Sequence, residues 1–213
     1  MERDLAFSFN VATVAMGLTM SLLRPKGGDV LAAELVRNAK DIEAVYGSGA
    51  ARAEFAHTLK VNTLADFAFI LCYGGAFFTL GLLAGGAYGI VVCVLAWCAA
   101  MADVAENVGI LRTIAGEASD EVARATRTPA LIKWGLLGVV CLLLSPLFLA
   151  HGIGGGWGMA RAVTGVSYAV AGVHLLWGLR QHGVIKWGVS LMSLALLVQM
   201  AVLWGNAGAI GFE

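Results

Sequence analysis

The stretch Leu64–Gly85, LADFAFILCYGGAFFTLGLLAG, decides the fold together with the stretch Tyr88–Leu111, YGIVVCVLAWCAAMADVAENVGIL. Each is as long as a helix that crosses the hydrocarbon core of a bilayer, which takes about 20 apolar residues. The connection between them, Gly85-Gly86-Ala87-Tyr88, is short and begins with two glycines. A connection of this kind predicts a tight antiparallel hairpin, so the two spans are expected to be neighbours.

Similar apolar stretches recur along the rest of the chain. They are Leu5–Leu23, Leu131–Ile153, Gly158–Leu179 and Val184–Trp204. The chain is 59% hydrophobic and 13% charged, which is too apolar for one soluble core. Lipid cannot satisfy open backbone groups, so the spans must be helices. The sequence therefore predicts an all-α, polytopic transmembrane helix bundle of about six spans. It forms a single integral membrane domain over residues 1–213, with the lipid bilayer as its first partner.

The distribution of Lys and Arg predicts the orientation. All but two of the 14 basic residues fall in or beside the connections after the first, third and fifth spans, and the exceptions are Arg3 and Arg161. The positive-inside rule then places those connections in the cytoplasm and both termini outside, in a bacterial inner (cytoplasmic) membrane. The formal net charge is zero, so no nucleic-acid partner is expected.

The connection between the first two spans carries a helical pattern over residues 29–46. Asp29 is placed to cap the helix and Gly47 to end it. The apolar positions recur every three or four residues, at Leu31, Leu35, Ala39, Ile42 and Tyr46. Charged residues, Glu34 among them, fall largely on the other side. This pattern predicts one amphipathic cytoplasmic helix, either at the membrane interface or packed on the bundle.

Two features predict how the spans pack against one another. The fifth span carries small residues on one face, at Gly158, Ala162, Gly165, Ala169 and Gly172. Small side chains let helix backbones approach closely in lipid. Asn10, Thr13 and Gln199 lie inside spans, where hydrogen bonds across helices are expected.

Three carboxylates inside the hairpin spans are the candidate catalytic residues: Asp66, Asp103 and Glu106. A charged side chain at mid-span costs about 2.5–3.5 kcal/mol on insertion scales, so each needs a reason. Asp103, Glu106 and Asn107 have the spacing of one helix face. Asp66 and Glu106 each lie 20 residues from Gly86, which places them at one depth.

Tyr73, Asn107 and His174 are the candidate ligand-binding residues around these carboxylates. Three interpretations of the group stay open. The first is a divalent cation such as Mg, Mn or Zn, whose identity the sequence leaves unknown. The second is a proton shared between carboxylates, used for acid–base chemistry or proton movement. The third is structural, with one carboxyl either neutral or paired with Lys60, Arg112 or Lys133, so that it fixes the helix register.

The hairpin motifs resemble a known pattern. Asp66-Phe67-Ala68-Phe69-Ile70, Tyr73 and Ala102-Asp103-Val104-Ala105-Glu106-Asn107 look like a pattern shared by uncharacterised bacterial multi-pass membrane proteins. The preceding Ala33-Glu34-Leu35 and the helix up to Tyr46-Gly47 are similar to the same group. The resemblance covers about the first half of the chain and implies relatedness without an activity.

Three functions are therefore compatible with the sequence. The protein binds or acts on a lipid-like or isoprenoid small molecule with its carboxylates. Alternatively, it is a non-catalytic accessory or assembly subunit with a membrane-protein partner. In the third alternative it is an ion- or proton-coupled transporter that uses the same carboxylates.

Overall fold

Helices provide the regular secondary structure of the chain in a computed structural model, which describes residues 2–150 and 157–205. The helices are α1 (Glu2–Leu22), α2 (Val30–Glu34), α3 (Ala39–Tyr46), α4 (Gly49–Ala84), α5 (Gly86–Ile114), α6 (Asp120–Leu149), α7 (Gly158–Gly178) and α8 (Ile185–Gly205). A short 3-10 turn, His182–Val184, precedes α8.

Six of these helices are long and apolar enough to cross a membrane: α1 and α4 to α8. This confirms the predicted all-α polytopic bundle with six spans. With 36 residues, α4 is much longer than the hydrocarbon core requires, so one end of it extends beyond the core. The predicted span Leu131–Ile153 ends on residues 151–153, which lie outside the described residues.

The hairpin between α4 and α5 is as tight as the sequence predicts. Only Gly85 separates the two helices, and Gly85 and Gly86 have φ angles of 66° and 57°, a region that favours glycine. Gly81 and Gly89 also face each other closely, since a Cβ atom on Gly89 would overlap the carbonyl oxygen of Gly81. These glycines fix the two helices as neighbours.

The prediction of one helix over residues 29–46 was wrong, because that segment forms two short helices. The Asn38 side chain accepts a hydrogen bond from the Asp41 N–H at 3.0 Å and so starts α3 anew. The Arg37 N–H donates to Asp41 Oδ2, also at 3.0 Å, which holds the break in place. The predicted ends are correct, with Asp29 capping α2 and Gly47 ending α3 at φ 72°.

The described chain divides into two compact units. One of them, the lysine unit, consists of Met16–Leu71 and Ala100–Lys133. Its apolar core joins residues of α2 and α3 to residues of α4, α5 and α6. The core residues are Ala33, Val36, Ile42, Tyr46, Phe55, Leu59, Ile110 and Ala123. Within this unit the two short helices are thus packed on parts of the spans, as the second of the two sequence alternatives expected.

The second unit comprises the described residues of 1–15, 72–99 and 134–213. In it the small-residue face of α7 packs against α6, because a Cβ on Gly172 would lie 2.7 Å from the carbonyl oxygen of Gly138. Gln199 donates to Asn10 Oδ1 at 2.8 Å and accepts from the Tyr168 hydroxyl at 2.5 Å. These contacts confirm close α7 packing and hydrogen bonding across helices, whereas Thr13 bonds to Phe9 O in its own helix.

Candidate functional site: a buried lysine among carboxylates

Lys133 lies at the centre of a group of buried charges in the lysine unit. Its side chain is 5% exposed. Its Nζ lies 2.7 Å from Glu106 Oε2, 2.9 Å from Asp103 Oδ1 and 3.6 Å from Glu34 Oε2. One ammonium group on α6 therefore contacts two carboxylates of α5 and one of α2.

Asp66 joins this group from α4. The Asn107 side-chain amide donates a hydrogen bond of 2.8 Å to Asp66 Oδ2, which links α4 to α5. Asp66 is half-buried and within electrostatic range of Lys133, Asp103 and Glu34. Since Asn107 follows Glu106 directly, Asp66 lies close to the depth that the hairpin spacing predicts. We call these six residues the lysine cluster: Glu34, Asp66, Asp103, Glu106, Asn107 and Lys133.

A close contact between α5 and α6 sets the position of Lys133. A Cβ atom on Gly109 would overlap the Thr126 hydroxyl, so the two helices approach closely at that level. Asp103 precedes Gly109 by six residues and Lys133 follows Thr126 by seven. Both therefore lie about two turns along the antiparallel pair from the contact, which brings the ammonium beside the carboxylate.

The lysine cluster contains more acid than base. Four carboxyl groups accompany one ammonium group, so the cluster would carry three excess negative charges if every acid were ionised. Burying uncompensated charge is costly in a medium of low dielectric constant. Glu106 is the most enclosed acid, with a side chain 1% exposed. Its Oε2 lies within ion-pair distance of Lys133 but accepts no well-directed hydrogen bond from the described residues.

The cluster is not arranged as a metal site. Within residues 2–150 and 157–205, no group of three or more His, Cys, Asp or Glu side chains has the spacing needed to hold a metal ion. The ammonium group of Lys133 stands between the carboxylates, where a cation would otherwise bind them. The divalent cation considered from the sequence therefore has no support in this geometry.

Four of the six predicted site residues come together in the lysine cluster: Asp66, Asp103, Glu106 and Asn107. The other two belong to the second unit. There Tyr73 packs against Phe77 with ring centroids 6.3 Å apart. The His174 Nδ1 lies 2.8 Å from Val170 O, a hydrogen bond within α7 that is typical of a structural histidine.

Sequence reasoning missed Glu34 as a site residue. The helical pattern assigned it to the polar side of an amphipathic helix, whereas the residue is only 8% exposed. A signal was present in its neighbours, because Ala33, Leu35 and Val36 are all apolar and all buried. A single acid inside such a run is expected to be buried with a partner.

An apolar groove lies elsewhere, on the α4–α5 hairpin of the second unit. Its volume is about 740 Å³ and its lining is almost entirely apolar. Among the lining residues are Phe78, Leu82, Ile90, Cys93, Val94 and Trp97. None of the carboxylates of the lysine cluster lines this groove. The groove therefore suits an apolar ligand but offers it no acid or base.

No protein-family model, curated protein or solved structure matches this chain. The resemblance of the hairpin motifs to bacterial multi-pass proteins therefore stays a prediction. The lysine cluster is the feature from which a function can be inferred.

Proposed function

We propose that this integral membrane protein is a proton-coupled transporter and that the lysine cluster is its proton-binding site. The observation that carries the proposal is that three carboxylates contact one buried ammonium group while a fourth, Asp66, lies within electrostatic range of it. A pair that only fixes helix register needs one acid for each base. This cluster has more acids than bases, so fixing the helix register does not explain all of its acids.

Proton binding balances the surplus charge. A carboxylate without a full positive partner in low dielectric is stabilised by taking up a proton. Carboxylates inside membrane spans serve as proton relays in pumps and transporters for this reason. Here Lys133 contacts three acids at once, so a proton taken up by any one of them changes the pairing of the other two. Such a change links proton binding to the relative position of α2, α5 and α6 within the lysine unit.

Two other functions remain as alternatives. Binding of a lipid-like or isoprenoid molecule is favoured by the apolar groove of the α4–α5 hairpin, but the groove lining contains no carboxylate. The small-residue face of α7 would favour an accessory role if a partner protein packed on it. Gly165 and Gly172 of that face pack against α6 of the same chain, so they do not argue for a partner protein.

Proton binding is tested by infrared spectroscopy of the purified protein during a pH titration. We expect the C=O stretch of a protonated carboxylic acid at neutral pH, reduced in Asp66→Asn and in Glu106→Gln. Glu54→Gln, a change in an exposed acid of α4, is the matched control and should leave this band unchanged. Absence of any such band in the wild type would contradict the proposal.

Transport is tested with the protein reconstituted into vesicles that enclose a pH-sensitive dye. An imposed pH gradient should dissipate faster with the wild type than with empty vesicles. Asp66→Asn and Glu106→Gln should slow this flux by on the order of 10²-fold, the usual effect of removing a positioned acid or base. Equal flux in the variants, with the protein folded, would exclude the cluster from the proton path.

A further inference from the structure

We infer that Glu34 is the residue through which protons pass between water and the lysine cluster, on the side of the membrane where α2 and α3 lie. This inference rests on the proposed function. It adds a role for the one acid of the cluster that does not belong to a membrane span.

The position of Glu34 in the chain supports this role. Asp66, Asp103 and Glu106 belong to the long apolar helices α4 and α5, whereas Glu34 is the last residue of the five-residue helix α2. The residues that follow it include Arg37 and Lys40, whose side chains are exposed. Exposed charges of this kind place the connection in contact with water or lipid headgroups. Glu34 thus links that surface to the buried group.

The contact distances point the same way. The Glu34–Lys133 separation of 3.6 Å is the longest of the three ion pairs and exceeds the usual hydrogen-bond range. The Asp103 and Glu106 pairs are shorter, at 2.9 and 2.7 Å. Glu34 also has the most exposed side chain of the three acids, at 11% against 6% for Asp103 and 1% for Glu106. Of the three acids it therefore has the longest contact with Lys133 and the greatest access to solvent.

The backbone around Glu34 is held while its side chain makes this loose contact. Ala33 and Val36 are buried in the core of the lysine unit, at 0% and 2% exposure. Asp29 caps the start of α2 through the Leu31 N–H at 3.1 Å. The core contacts and the cap thus fix the backbone from which the Glu34 side chain reaches Lys133.

The proton transfer balances through Lys133. Glu34 takes a proton from water and becomes a neutral carboxylic acid. The ammonium of Lys133 then gives one proton to the Glu106 carboxylate and receives the proton of Glu34 in its place. The net result is a proton moved from Glu34 to Glu106, with Lys133 unchanged. The same exchange can deliver the proton to Asp103, which Lys133 also contacts.

Charged groups of three helices surround Glu34 in the lysine unit. Lys133 faces it from α6, Asp103 and Glu106 lie on α5, and Asp66 is within electrostatic range from α4. Tyr46 is the buried titratable residue of α3, and burial raises the pKa of its hydroxyl. The Tyr46 hydroxyl thus keeps its proton at physiological pH and does not compete with Glu34.

The test compares Glu34→Gln with the wild type and with Glu43→Gln, a change in an exposed acid of α3. Protonation of the cluster is followed by time-resolved infrared spectroscopy after a pH jump. We expect Glu34→Gln to slow protonation by on the order of 10²-fold while the acids of α4 and α5 still reach their wild-type band at equilibrium. Glu43→Gln should behave as the wild type. Glu34→Asp should give an intermediate rate, because it keeps an acid at a shorter reach.

The outcomes separate this inference from the proposed function. Wild-type rates in Glu34→Gln, with the protonated band present, would overturn the role of Glu34 and leave the proton-binding site intact. No protonated band in the wild type would overturn both. If Glu34→Gln does not fold, Glu34→Asp decides: a wild-type rate overturns the inference, and a slowed rate that small diffusible acids restore supports it.

Discussion

At the scale of single residues, Lys133 is the one base among the acids of the lysine cluster. Three carboxylates lie within 4 Å of its ammonium group, and two of them come from the same face of α5. Its four-carbon stem reaches from α6 into this group and leaves almost no surface exposed. Each acid therefore depends on one base, and the loss of that base affects all of them together.

Replacing Lys133 with Met should be strongly destabilising. The change keeps the volume of the side chain but leaves buried carboxylates without a cation, which costs about 3–5 kcal/mol of the free energy of unfolding. Protonated acids need no cation, so the loss should be smaller at acidic pH than at alkaline pH. Denaturant unfolding in mixed micelles at two pH values measures both effects, and Lys40→Met in an exposed position is the control. An equal loss of stability at both pH values would show that the acids do not become protonated when Lys133 is removed.

The residues of the site were predictable from sequence to different degrees. Asp66, Asp103, Glu106 and Asn107 were identified because a charge inside an apolar span needs a reason and because the hairpin fixes their depth. Lys133 was only one of three candidate bases, since the register of α6 against α5 depends on the Gly109–Thr126 contact, which no local pattern encodes.

At the scale of helices, glycines decide where backbones touch. Gly81 and Gly89 bring α4 and α5 together next to the turn, and Gly138 and Gly172 do the same for α6 and α7. In lipid, where apolar side chains gain little from leaving the solvent, such close backbone contacts are a main source of helix association.

Gly89→Ala should loosen the α4–α5 hairpin. The added methyl group would overlap the carbonyl oxygen of Gly81, and backbone cannot move aside as a flexible side chain can. Overpacking of this kind costs about 1–3 kcal/mol. Gly183→Ala adds the same methyl group where nothing lies within 4 Å and serves as the control. A thermal-shift assay in detergent compares the two, and a melting temperature for Gly89→Ala equal to that of the control would contradict the close contact.

Helix ends show which local signals the sequence carries. The Gly85-Gly86 turn was predictable because the two glycines lie at the junction of two long apolar stretches. The break between α2 and α3 was not, because the apolar spacing continues through it from Leu35 to Ala39. At this point the Asn38 cap starts a new helix although the apolar spacing is that of a continuous one. Apolar spacing is a weak signal, because tertiary packing decides whether it becomes one helix.

At the scale of the whole molecule, six helices of the described chain are long and apolar enough to span a membrane, and the basic residues are concentrated in alternate connections. The number of spans follows from hydropathy alone, because each apolar stretch is long enough to identify by itself. Which connections face the cytoplasm depends on charge, and this stays a prediction of the positive-inside rule.

A cysteine-accessibility map should establish the orientation. Single cysteines near Arg52 and Arg124 are expected to react with an impermeant thiol reagent from the cytoplasmic side. Cysteines at Gly155 and Glu213, two positions outside the described residues, should react from the opposite side. The background requires removal of Cys72, Cys93, Cys98 and Cys141, which are all free thiols. Labelling of Glu213 from the cytoplasmic side only would contradict the six-span arrangement.

The pairing of Lys133 with α5 has a consequence for biosynthesis. Glu106 leaves the ribosome 27 residues ahead of Lys133, a delay of a few seconds at about 5–20 residues per second. During that interval Lys133 is not yet available to form ion pairs with Asp103 and Glu106. Release of the nascent hairpin into lipid is therefore expected to wait for α6, so that α4, α5 and α6 leave the insertion machinery as one group. In a nascent chain stalled before Lys133 is synthesised, Asp103 and Glu106 should therefore remain in an aqueous environment.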